Sequence, residues 1–174
     1  MTDKKPLTRS EREAKIKDKA GFVISIFAAI LALNTYISGK LSSQILNNTI
    51  VANDVWNFYQ AKSVKQTIYE VAVDQSVDPV IKKRYDETIA RYESDPKTGE
   101  GKRELYEKAK KLEDDREEAK KRSPWISYAG STMQMAIVLI SASIVAVSAA
   151  LFWTSFGVMA VGIALMLQGI FLWF

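Results

Sequence analysis

The chain has 174 residues and a net charge of +4, with 24 basic and 20 acidic side chains and neither cysteine nor histidine. Those absences exclude disulfides, thiolate chemistry and Cys/His zinc sites, and they remove the commonest general acid–base near neutral pH. Charge is also segregated: Pro124 to Phe174 contains no Asp, Glu, Lys or Arg, and nearly all charge lies in Met1–Lys19 and Lys40–Arg122. That pattern belongs to a chain solvated by two different media, so the expectation is all-α, with three transmembrane helices and a coiled-coil-like helical arm between spans one and two.

Residues 1–19 form a basic N-terminal tail, with seven basic residues against Asp3, Glu11, Glu13 and Asp18. Residues 20–38 are the first span. A span needs roughly 20 apolar residues to cross about 30 Å of hydrocarbon, and lipid offers backbone amides no partner, so each span must be helical. A basic stretch before an apolar run also describes a signal peptide. Here the run is long for that role, no small-x-small cleavage site follows, and helix-forming sequence continues through Lys40–Asp74. Ser25, Ala28, Ala29 and Ala32 offer a small-residue face for close helix packing, either within the chain or between copies.

Residues 39–123 form the charged arm, with 17 basic and 16 acidic residues, too balanced for nucleic-acid binding. A long helix with an aromatic stripe (Ala52, Val55, Trp56, Tyr59) and a heptad-like seam (Ala61, Val64, Ile68, Val71) leads it. It breaks at Gln75–Pro79, where Asp78 is a good N-cap and Pro79 suits the first helical position. The next helix carries Ile81, Tyr85, Ile89 and Tyr92 and ends near Ser94-Asp95-Pro96. After a loop, a third helix from Lys102 to Arg122 carries Leu105, Ala109, Leu112, Arg116 and Ala119, and Ser123-Pro124 is expected to stop it. Thr98-Gly99-Glu100-Gly101-Lys102 lacks the spacing and preceding strand of a phosphate loop and reads as a turn. The arm holds no paired acid and base, nucleophile motif or metal-ligand spacing, so no catalytic residue, metal or cofactor is expected.

Residues 124–174 form an apolar hairpin, with spans at about 131–153 and 155–174 joined by a turn at Trp153–Gly157. Trp125, Tyr128, Trp153 and Trp173 fit the headgroup belt. Ala142, Ala146 and Ala150, then Gly157, Gly162 and Gly169, thin the two helices. Asn34, Gln134 and Gln168 are the polar outliers of the spans and the candidate intramembrane polar contacts.

Two segments are specific enough to carry a resemblance. Asn53-Asp54-Val55-Trp56-Asn57-Phe58-Tyr59-Gln60-Ala61-Lys62-Ser63-Val64-Lys65 resembles the signature after the first span of the bacterial membrane family called domain of unknown function 4337. Ile89 to Leu105, Gln134 to Ser143 and Leu167-Gln168-Gly169 are similar to it as well. The resemblance covers almost the whole chain. It implies a bacterial inner membrane and the same three-span plan, and supplies no activity and no catalytic residues. In similar chains the turn between spans two and three often carries Lys or Arg, which Trp153–Gly157 does not. Within the first motif, Trp56, Tyr59, Gln60 and Ser63 share a helical face and form the candidate interaction face.

The basic tail favours a cytoplasmic N-terminus, which puts the arm in the periplasm. The expected role is a non-enzymatic scaffold, a homo-oligomer held in the bilayer by helix packing. Two alternatives stand beside it: an oligomeric channel or transporter component, and a sensor or adaptor that binds another envelope protein.

Overall fold

The computed structural model describes residues 9–173. Among them the chain is all-α, with four helices: α1 (Arg9–Gln75), α2 (Pro79–Glu93), α3 (Lys102–Val145) and α4 (Ala149–Phe171). Positions 1–8 of the basic tail and Phe174 lie outside the described residues. Three of the helices, α1, α3 and α4, are long and apolar enough to cross a membrane. The chain divides into two compact units, one of residues up to Ser42 with Lys120 onward, the other Ser43–Ala119.

In the first unit, the apolar part of α1 packs with α3 and α4. Phe27 meets Phe156 edge to face, with ring centroids 5.4 Å apart. Ile126, Met133 and Ile140 on α3 are fully buried at seven-residue spacing, with Ala129 and Ala136 buried between them. On α4 the buried positions Ser155, Met159, Gly162, Met166 and Gly169 keep the same alternation. Gly169 lies against Ile126 and Gly162 against Met133: a Cβ at Gly169 would sit 2.7 Å from Ile126 Cδ1, and one at Gly162 2.8 Å from Met133 Cγ. The same antiparallel register sets Ile140 level with Ser155, and Ala129 and Ala136 level with Met166 and Met159. Large faces small at every layer, which lets two backbones approach closely where lipid supplies no hydrophobic driving force.

Three expectations are corrected in this unit. The turn lies at Ala146–Ser148, not at Trp153–Gly157, and Trp153 belongs to α4. It is a Schellman turn: Ser148 N–H donates to the Ser143 carbonyl at 3.1 Å and Val147 N–H to that of Ile144 at 3.4 Å. Val147 takes the left-handed position, with φ 49°. Pro124 does not end α3, which runs on through it to Val145. The ring is exposed, and helix-forming sequence on both sides outweighs a local penalty of about 3 kcal/mol. The small-residue sets also differ from expectation: Ala146 falls in the turn and Ala150 and Gly157 are exposed. On α1, Ser25, Ala28, Ala29 and Ala32 are exposed, while Ala20, Phe27 and Asn34 form the buried face.

In the second unit, α1 is continuous from Ser43 to Gln75 and ends before Asp78, whose carboxylate accepts from Val80 N–H at 2.8 Å. Val55, Leu105 and Ala109 form a small buried core flanked by Val51, Trp56, Tyr59 and Leu112. Tyr69 of α1 lies edge to face with Tyr85 of α2 at 5.4 Å and tilted against Tyr92 at 5.8 Å. The expected seam points elsewhere: Val64, Ile68 and Val71 are 61%, 61% and 49% exposed.

Candidate functional site

The candidate interaction face of α1 divides. Trp56 lies edge to face with Tyr59 at 5.5 Å and with Tyr106 of α3 at 5.6 Å. Its indole Nε1–H donates to Glu113 Oε1 at 2.9 Å. The Lys102 ammonium sits 5.7 Å above the Tyr59 ring. These two aromatics are therefore committed to α3 of the same chain. Gln60 is exposed, and Ser63 is half-buried with its carbonyl accepting from the Thr67 hydroxyl.

The second specific segment builds the connection from α2 to α3. Gly99 has φ +70°, and a Cβ at Gly101 would lie 2.2 Å from Glu104 Oε2 and 2.4 Å from the Asp95 nitrogen. Glu104, in the first turn of α3, reaches back to accept from the Ser94 hydroxyl at 2.6 Å and from Asp95 N–H at 3.1 Å. The Ser94 hydrogen bond is the main reason its carboxyl titrates below the ordinary 4.5. A hydrogen bond from the Thr98 side chain likewise lowers Asp95 below 3.8. A carboxylate already occupies the start of α3, which gives the loop a structural job. Sequence reasoning missed Glu104; its position three residues after Gly101, as in a capping box, was the available signal.

The intramembrane polar residues also divide. Asn34 is 2% exposed, and its Nδ2 donates to the Ile126 carbonyl at 3.1 Å. Gly130 leaves room for it, since a Cβ there would lie 2.8 Å from Asn34 Nδ2. Asn34 Oδ1 is buried without a hydrogen-bond partner. Asn34 and Gln134 line one cleft of about 400 Å³, together with Thr35, Ser38, Ser127 and Ser131. Gln168 is buried in α4 and is not part of that cleft. Arg122 of α3 donates to the Ile170 carbonyl in the last turn of α4, serving a carbonyl that has no intrahelical donor. Among the described residues no group of three or more His, Cys, Asp or Glu side chains could hold a metal ion.

The family model described as Domain of unknown function (DUF4337) matches residues 16–172. No curated protein and no solved structure matches the chain.

Proposed function

The chain belongs to the DUF4337 family, and we propose that it acts as a non-enzymatic membrane scaffold, a homo-oligomer whose α1 helices associate. The observation that supports this most directly is the uncovered seam Ala61, Val64, Ile68, Val71. Its 3-4-3 spacing is that of a coiled coil, yet Val64, Ile68 and Val71 remain about half or more exposed. The exposed small-residue face Ser25, Ala28, Ala29, Ala32 offers a second association surface suited to lipid. In this reading residues 39–123 are an extramembrane arm on the periplasmic side of a bacterial inner membrane, with the N-terminus in the cytoplasm. The aromatic motif holds each arm rigid by bonding it to its own α3, and so presents the seam.

The absence of native cysteine makes the test direct. Ile68→Cys in native vesicles is expected to form a disulfide-linked dimer on mild oxidation, because a parallel shared seam puts the two equivalent thiols side by side, close enough for small motions to reach the roughly 4 Å Cβ separation of a disulfide. Ala109→Cys, buried inside the chain, is the control that should not cross-link. A monomeric Ile68→Cys chain, with the mass of one copy in mild detergent, overturns the scaffold. Repeated recovery of a different envelope protein on the same seam would favour the adaptor role instead.

A further inference from the structure

We infer that the α1 seam joins three or four parallel copies of this chain rather than two, and that it runs upstream of Ala61 to Asn57. The inference rests on the scaffold reading above and adds the number of partners and the residues that set it. Continuing the 3-4 spacing upstream from Ala61 reaches Asn57, which is exposed, as are Ala61, Val64, Ile68 and Val71. The next position, Asp54, carries a charge and ends the run, and Gln75 ends it at the close of α1. The opposite side of α1 is taken by its own chain: Ala52 and Val55 are buried, Trp56 meets Tyr106 of α3, and Tyr69 meets Tyr85 of α2. Charge singles the seam side out. Between Ser43 and Gln75, α1 has only five charged residues, Asp54, Lys62, Lys65, Glu70 and Asp74, whereas the shorter stretch Lys102–Arg122 of α3 has sixteen. Loss of charge from an exposed face is the mark of the core of an interface.

The face complements itself. Copies inserted the same way up have parallel α1 helices, so equivalent residues meet. The flanking pairs of such a seam, Asn53 with Phe58, Gln60 with Lys65 and Thr67 with Ala72, bring no two like charges together. The Asn57 amide is both donor and acceptor and so can bond to its own equivalent, at the cost in stability of a polar layer. Two heptads make a short coil, but anchoring in one bilayer confines the copies and raises their effective concentration. The copy number follows from the branching of the side chains. Ala61 and Ile68 take heptad position a, and Asn57, Val64 and Val71 take position d. In a two-stranded coil the Cα–Cβ bond at d points straight at the facing helix, which suits leucine, forked one carbon further out. Valine is forked at Cβ and held in a helix to one main rotamer, so it fits poorly there. Three or four strands turn the d side chains aside and accept the fork, and β-branched residues at both a and d shift the preference that way.

The test reads the copy number of the full chain, by native mass in mild detergent and by the ladder that an amine-reactive cross-linker gives in native vesicles. Three or four copies are expected in both. Val64→Leu combined with Val71→Leu should reduce the assembly to two copies, because leucine at d favours two strands. Both positions are about half or more exposed in the single chain, so the exchange leaves its fold intact. Asn57→Val replaces a polar layer with an apolar one and should hold the assembly together through about tenfold greater dilution. A wild-type assembly of two copies, or a double-leucine variant that keeps three or four, overturns the inference and leaves the scaffold standing. Unchanged dissociation of Asn57→Val takes Asn57 out of the contact and overturns the upstream extent of the seam. A single copy in vesicles and detergent alike ends the scaffold and this inference together.

Discussion

Replacing each of three glycines of α4 by alanine tests the antiparallel packing of α3 and α4 with one chemical change made in three surroundings. At Gly157 a new Cβ meets nothing within 4 Å. At Gly162 it meets Met133 Cγ at 2.8 Å, and at Gly169 it meets Ile126 Cδ1 at 2.7 Å, Ile126 Cγ1 at 2.9 Å and Trp125 Cβ at 3.1 Å. Alanine is a better helix former than glycine by up to about 1 kcal/mol, so Gly157→Ala should be neutral or mildly stabilising. Overfilling a packed interface costs about 1–3 kcal/mol. Methionine is unbranched and can move aside, whereas Ile126 is β-branched, fully buried and restricted in a helix to one main rotamer. The order of stability is therefore Gly157→Ala above Gly162→Ala above Gly169→Ala, with about 1–3 kcal/mol between the ends. Equilibrium unfolding of the full chain in mixed detergent gives these differences. Ile126→Val removes Cδ1, the nearest clashing atom, and should recover part of the Gly169→Ala loss, with a coupling of at least about 0.5 kcal/mol. Equal effects at the three glycines, or strictly additive effects of Gly169→Ala and Ile126→Val, would refute the register.

Further outcomes concern the other elements. Gly101→Ala should destabilise the α2–α3 connection by about 1–3 kcal/mol, because two of the atoms that its Cβ would strike belong to the backbone; faster amide exchange over residues 94–105 would report it. Glu104→Gln should unfold this segment more readily at neutral pH. A carboxyl whose folded value lies below 4.5 contributes fully above 4.5 and loses that contribution as pH falls through its lowered value, so the gap to wild type should close in the acid range; a gap independent of pH would contradict it. Val147→Gly should stabilise the hairpin by about 1 kcal/mol by relieving a β-branched residue at φ 49°, read as a higher unfolding midpoint. Trp56→Phe keeps one aromatic ring but loses the bond to Glu113 and part of the packing on Tyr59 and Tyr106, and should cost at least about 1 kcal/mol in the same measurement.

Much of the helical plan was legible from residues with strong local meaning. Asp78 and Pro79 marked the start of α2, and the Leu105, Ala109, Ala119 periodicity marked the buried side of α3 in the charged segment. The hairpin turn was not legible, because Ala146-Val147-Ser148 contains no glycine, asparagine or proline, while Trp153–Gly157 contains a glycine and an interfacial aromatic. The packing face of each apolar helix was hidden for a different reason. In a span that is apolar all round, hydrophobic periodicity carries no contrast, and only the contacts show that Phe27 and Asn34 face inward while Ala28 and Ala32 do not. The Asn34 cleft was half visible: Asn34 and Gln134 stood out as polar, but nothing local linked residues so far apart in the chain. Trp56 and Tyr59 were conspicuous as a surface, and only the fold reveals that α3 of the same chain already covers them.

The bond from Arg122 to the Ile170 carbonyl joins the end of the charged stretch of α3 to the final turn of α4. A guanidinium resists immersion in hydrocarbon, and so does a helix terminus with bare carbonyls. Fastened together, they act like a load line on a hull. Sliding either helix by one turn, about 5.4 Å, would separate the cation from the terminus it serves. That one side chain therefore fixes the register of the start of the uncharged stretch of α3 against the end of α4.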